Sequence, residues 1–70
     1  MKLSINGSDR DFPELDCDAR MSLLIDLLHM KPDRIAIERN GEIIPRGQWE
    51  HVSLTQNDRL EIVQFVGGGI

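Results

Sequence analysis

Cysteine is nearly absent from this chain. Cys17 stands alone among 70 residues, so no internal disulfide can form, and a reducing, cytoplasmic compartment is the simplest one to expect. Long hydrophobic runs are missing too. No apolar stretch approaches the length that crosses a membrane, and the start MKLSING turns polar too soon for a secretion signal. Positive charge is scarce: eight Lys and Arg against twelve Asp and Glu leave a net charge of −4. Nucleic-acid binding displaces counterions with a basic face and is thereby disfavoured, whereas a partner with a positive cleft is favoured. Lys2 and Lys31 are the only lysines, which counts against a modifier that builds lysine-linked chains. His29 and His51 are the only histidines and belong to no metal-spaced cluster. No repeat, low-complexity segment or linker interrupts the chain.

What is present describes an ordinary globular domain. Apolar residues make up 40% and charged residues 29%, with only two Phe, one Trp and no Tyr. A domain of this size hides only about 60% of the surface its unfolded chain exposes. It has little room for a deep, enclosed active site.

The apolar pattern predicts the order β-β-α-β-β-β. KLSIN alternates, with Leu3 and Ile5 on one face, and Asn6-Gly7 supplies a hairpin turn. SDRDFPEL returns as an edge strand, because Pro13 cannot donate to a ladder. MSLLIDLLHM is the one helix. Leu23, Leu24, Leu27 and Leu28 are expected on its buried face, Ser22 at its N-cap, His29 and Lys31 near its C-terminus, and Pro32 as its stop. RIAIERNGEIIP reads as two strands around Asn40-Gly41, with Ile35 and Ile37 on one side and Ile43-Ile44 returning. RGQWEHVSL is irregular, with a short helical turn at 47–50, and TQND is a turn in which Asn57 tolerates a left-handed backbone. RLEIVQFV is the last strand. Strands gathered around one helix imply an α+β domain whose sheet is covered on one face.

Catalytic chemistry finds no footing. Cys17 lies between Asp16 and Asp18 and reads as an incidental cysteine. Asp9, Asp11, Glu14, Asp16 and Asp18 lack the central glycine and the terminal glutamate of an EF-hand loop, and read as a solvated acidic face. Gly67, Gly68 and Gly69 are not a phosphate loop, since no helix follows them. Either they are a frayed end, as most domains have, or the tail itself is the reagent. A terminal carboxylate can be activated by ATP and turned into a thiocarboxylate or thioester inside a partner's cleft. Three extended residues reach roughly 10 Å, and glycine passes a narrow channel without a side chain to clash.

Three segments carry a resemblance that spans the whole chain. They are KLSING at the start, ERNGEIIPRGQW in the middle and LTQNDRLEIVQFVGGG at the end. Together they resemble the ThiS family, the sulfur carriers of thiamin thiazole synthesis within the ubiquitin-like β-grasp superfamily. Pro45-Arg46-Gly47-Gln48-Trp49 separates this pattern from the related small subunit of molybdopterin synthase, which shares fold and tail. The resemblance implies a mixed sheet of about five strands on one main helix over residues 1–66, followed by a flexible tail, 67–70. It implies a carrier that is a co-substrate and not an enzyme, with no bound cofactor, no metal and a monomeric free state. Its partners would be a ThiF-like adenylyltransferase using ATP and Mg, a sulfurtransferase or cysteine desulfurase supplying a persulfide, and a ThiG-like thiazole synthase receiving the sulfur. Matched residue by residue, Gly68-Gly69 is the functional pair, Gly69 the adenylation and thiocarboxylate site, and Gly67 a spacer. Two departures stand out. Asn57 replaces a glycine common in the family, and Ile70 lies beyond the glycine pair. While Ile70 remains, the carboxylate is not glycine's: either a protease removes it or it belongs to an alternative terminus. The rival readings are sulfur delivery to molybdopterin or another acceptor, and a β-grasp interaction module whose tail does no chemistry.

The phase of the last strand gives a second expectation. Leu60 and Ile62 point one way, and Glu61, Val63 and Phe65 the other. If the first pair faces the helix, Val63 and Phe65, with Val66 following them, form an apolar patch beside the tail where partners dock. Trp49 is expected in the core, and Arg46 in a surface ion pair.

Overall fold

The computed structural model describes residues 1–65. Strand β1 (Lys2–Ile5) turns through Asn6-Gly7 into β2 (Ser8–Asp11). Helix α1 (Met21–Leu27) follows, and then a 3-10 turn (Pro32–Arg34) leads into β3 (Ile35–Arg39). Asn40-Gly41 turns the chain into β4 (Glu42–Ile44), a second 3-10 turn (Arg46–Gln48) follows, and β5 (Arg59–Gln64) ends the described residues' strands. One five-stranded sheet results, in the order β2-β1-β5-β3-β4. β1 and β5 are parallel; the other neighbours are antiparallel. The expected element order and the edge position of β2 both hold.

Both hairpin tips use the backbone their sequences predict. Asn6 and Gly7 have φ of 51° and 84°, Asn40 and Gly41 of 51° and 88°. Two successive left-handed residues make the turn whose twist matches antiparallel strands. The asparagines do more than turn. Asn6 Nδ2 donates to Ile62 O at 3.1 Å and its Oδ1 accepts from Ile62 N at 2.8 Å, while Asn40 Oδ1 accepts from Arg59 N at 2.9 Å. Each tip is thus fastened to β5, the central strand.

The helix differs from its sequence reading in phase and in both ends. Met21, Leu24 and Ile25 are the buried residues, Leu27 and Leu28 are half-buried, and Leu23 is exposed. The run is almost wholly apolar, so its composition does not choose a face; the point of entry does. Met21 N donates to Val52 O at 2.9 Å and Ser22 N to Trp49 O at 3.1 Å. These carbonyls satisfy the first amides, so Ser22 is the second helical residue and not the cap. Arg20 holds the cap position with no side-chain bond. The helix also stops well before Pro32. His29, at φ 57°, closes it, with His29 N donating to Asp26 O at 3.1 Å and Met30 N to Ile25 O at 3.3 Å. This is a Schellman closure with histidine where glycine is usual. It leaves no basic side chain in the last turn.

The core lies between α1 and one face of the sheet. Leu3, Ile5, Ile35, Ile37, Leu60 and Ile62 meet Met21, Leu24 and Ile25 there. At the entry to β5, the buried carboxylate of Asp58 accepts from Arg39 Nε at 3.1 Å, Asn40 Nδ2 at 3.1 Å and Thr55 N at 2.9 Å. Asn57, at φ 70°, makes the turn before it, as its residue type anticipates. Among the described residues no helix is long and apolar enough to cross a membrane.

Candidate functional site: the open sheet face and the exit of β5

Strand alternation puts two kinds of surface on β5. Leu60 and Ile62 are 1% and 6% exposed, whereas Val63 and Phe65 are 55% and 52% exposed. The expected phase therefore holds: Val63 lies on the face without a helix, and Phe65 is exposed just beyond the strand. The strand stays anchored up to this point. Gln64 pairs with Ile35, and Phe65 N donates to Arg34 O at 2.7 Å.

The neighbouring strands enlarge the patch beyond the sequence reading. Ala36 sits opposite Val63, and Ile43, 70% exposed, sits opposite Glu38 on the next strand. Ala36, Ile43, Val63 and Phe65 line a shallow hollow of ≈ 240 Å³ with Glu38 and Glu61. Ile43 was legible in principle. A two-residue Asn-Gly turn pairs Arg39 with Glu42 and Glu38 with Ile43, so Ile43 must lie on the face opposite Ile35 and Ile37.

Other singled-out residues fall elsewhere. Trp49 is buried; its Nε1 donates to Ile44 O at 2.9 Å and its carbonyl accepts from Ser22 N. The PRGQW segment thus braces the start of α1 against the end of β4. Arg46 is exposed and forms no ion pair with the described residues, contrary to expectation: it lines a hollow with Asp26 and Glu50, and its exposed guanidinium is left to water. Cys17, His29 and His51 are exposed. No group of three or more His, Cys, Asp and Glu that could hold a metal occurs among the described residues. Val66, Gly67, Gly68, Gly69 and Ile70 lie outside the described residues.

Comparison with known proteins gives this arrangement a context. The ThiS family pattern matches residues 3–69. A thiazole synthase of Paramagnetospirillum magneticum is 39% identical over 69 residues, which cover 99% of this chain and 20% of that protein. The chain spans a fifth of the length of the curated thiazole synthases it matches. The sulfur carrier protein ThiS of Bacillus subtilis is 36% identical over 67 residues, covering 96% of this chain and 98% of that one. The crystal structure of a thiamine biosynthesis protein (ThiS) from Geobacter metallireducens superposes with a TM-score of 0.82 at 24% identity, covering 99% of this chain and all of that one. The α+β fold, a five-stranded mixed sheet on one helix, is the β-grasp expected from the sequence. With the pattern running from β1 through the glycines, and a full-length relative above one-third identity, the chain belongs to the ThiS family.

Proposed function

We propose that this chain is a sulfur carrier for thiamin thiazole synthesis, with Gly69 as its reacting residue. A partner adenylyltransferase joins the Gly69 carboxylate to AMP from Mg-ATP and releases pyrophosphate. A persulfide from a sulfurtransferase or cysteine desulfurase displaces AMP, and a second thiol reduces the resulting acyl disulfide to the thiocarboxylate. Thiazole synthase receives the sulfur. The chain supplies no catalytic group and holds no cofactor; it presents a carboxylate and a docking face formed by Val63 and Phe65, to which Val66, next in sequence, is assigned as well.

One observation carries the reading: the family match extends through Gly69, so the glycines belong to the shared pattern. Two others support it. β5 is hydrogen-bonded up to Phe65, so the exposed patch ends two residues before Gly67 in sequence. The thiazole synthases that contain a similar segment favour that enzyme as the acceptor.

An intact-mass comparison tests the proposal. A chain ending at Gly69 and the 70-residue chain are incubated with the adenylyltransferase, Mg-ATP and a persulfide donor. The Gly69 form gains the mass of one oxygen exchanged for sulfur. The Ile70 form does not, because a β-branched terminus is stiff at χ1 and broad at Cβ where glycine passes. No modification of the Gly69 form by a competent cognate enzyme overturns the carrier reading. Sulfur on the Ile70 form overturns the requirement for trimming.

A further inference from the structure

Glu38 and Glu61 are direct cross-strand partners at the centre of the open face. Side chains so placed have Cβ atoms about 5 Å apart, and like charges there repel. Among the described residues neither forms an ion pair. The ion pairs among the described residues join Met1 to Asp11, Arg34 to Asp33 and Arg39 to Asp58. Arg59 lines the polar hollow on one side of the two glutamates without pairing with either, and the apolar hollow with Ile43, Val63 and Phe65 opens on the other. An anionic pair without a salt-bridge partner among the described residues thus borders their most exposed apolar surface.

We propose that Glu38 and Glu61 form a receptor for one arginine of the protein that docks on this face. The inference rests on the reading that the face is a docking surface, and adds the chemistry of its occupant. A guanidinium is planar and carries five donors, so it can serve two carboxylates at once. Apolar groups of the partner seated on Ile43, Val63 and Phe65 would exclude water from the contact and strengthen it. A two-fold pairing of this chain through the face would bring four carboxylates together with two Arg59 side chains, and is the competing occupant that the test below separates. The glutamates would thereby select a basic partner.

The test uses the whole chain with the cognate adenylyltransferase as probe, titrated calorimetrically at about 50 mM and about 300 mM NaCl. The E38Q/E61Q variant binds about ten-fold more weakly than the parent and loses most of the salt dependence. Its melting temperature stays level or rises by about 1–3 °C, because a repulsion has been removed. Unchanged affinity in this variant, alongside binding lost in Phe65→Asp, overturns the arginine receptor and leaves the docking face standing. A parent chain that does not bind the enzyme at all overturns both. A parent chain that self-associates at micromolar concentration, and ceases to in Phe65→Asp, places a second copy on the face and overturns the proposal.

Discussion

The two faces of this sheet are built from the same strands and answer to different demands. On the covered face, Leu60 and Ile62 meet the helix and are almost wholly buried; one residue further along β5, Val63 is more than half exposed. Neither residue type nor strand propensity distinguishes them. Only the position of α1 does. A single seven-residue helix can cover one face, so the apolar area that stabilises the fold lies there. The other face keeps apolar groups that folding does not bury, and water-exposed apolar surface of this kind marks interaction sites. Stability and recognition are thereby separated by strand alternation alone.

Truncation on the covered side is the strongest way to break that contrast. Leu24 is completely buried, and Leu24→Ala should cost about 2–5 kcal/mol. Against a total stability of about 5–15 kcal/mol, this appears as a large fall in the midpoint of a urea melt. A loss below about 0.5 kcal/mol would mean that the helix does not carry the fold. The next test asks whether the covered side is stabilised by apolar area alone. Asp58 is 5% exposed and its carboxylate accepts three hydrogen bonds: one from Thr55 N closes the 55–58 turn, and two, from Arg39 and Asn40, join it to the β3–β4 hairpin. Asp58→Ala should cost about 2–3 kcal/mol, because three donors lose their partner. A neutral result would confine the stabilising contacts to the apolar core.

Much of this division was legible in the sequence, and the parts that were not share a cause. The strands could be read because alternation is local: Leu60 and Ile62 against Val63 and Phe65 needs only a period of two. The hairpin tips could be read because Asn-Gly names its own backbone conformation. The helix face could not, because Met21, Leu23, Leu24, Ile25, Leu27 and Leu28 offer apolar groups on every side. Its phase is set by carbonyls of Trp49 and Val52, more than twenty residues away in sequence. Recognition and role also diverged. PRGQW carries part of the resemblance read from the sequence, yet Trp49 is buried and braces the helix, so that segment is structural. Ile43 and the Glu38–Glu61 pair went unread because they depend on the register between strands.

A smaller effect, of opposite sign, concerns the helix that creates the contrast. His29 adopts φ 57° and is exposed, with its backbone amide closing the last turn onto Asp26 O. A left-handed non-glycine residue costs about 1 kcal/mol, and glycine relieves it at some entropic cost. His29→Gly should therefore stabilise the domain by about 0.5–1 kcal/mol in a chemical melt. A loss of stability would show that the imidazole makes a contact that outweighs its backbone strain.

The smallest effect on stability should come from the open face, and it is the sharpest test of the separation. Val63 faces Ala36 across the sheet, and Phe65, one residue past the strand, is held there by its backbone amide while its side chain stays exposed. Truncating either to alanine removes contact area that is already half in water. Such surface changes stay within about 0.5 kcal/mol, so the melts of Val63→Ala and Phe65→Ala should overlay that of the parent. Binding should respond in the opposite way. An aspartate at Phe65 adds a charge that a partner's apolar surface would have to desolvate, so Phe65→Asp should weaken capture by the adenylyltransferase markedly while the fold persists. The two measurements belong together on the same samples. If Phe65→Asp melts at the parent's midpoint and no longer binds, the open face serves recognition and not folding. If it unfolds, Phe65 holds β5 in place, and the two faces share the stabilising role that strand alternation divides between them.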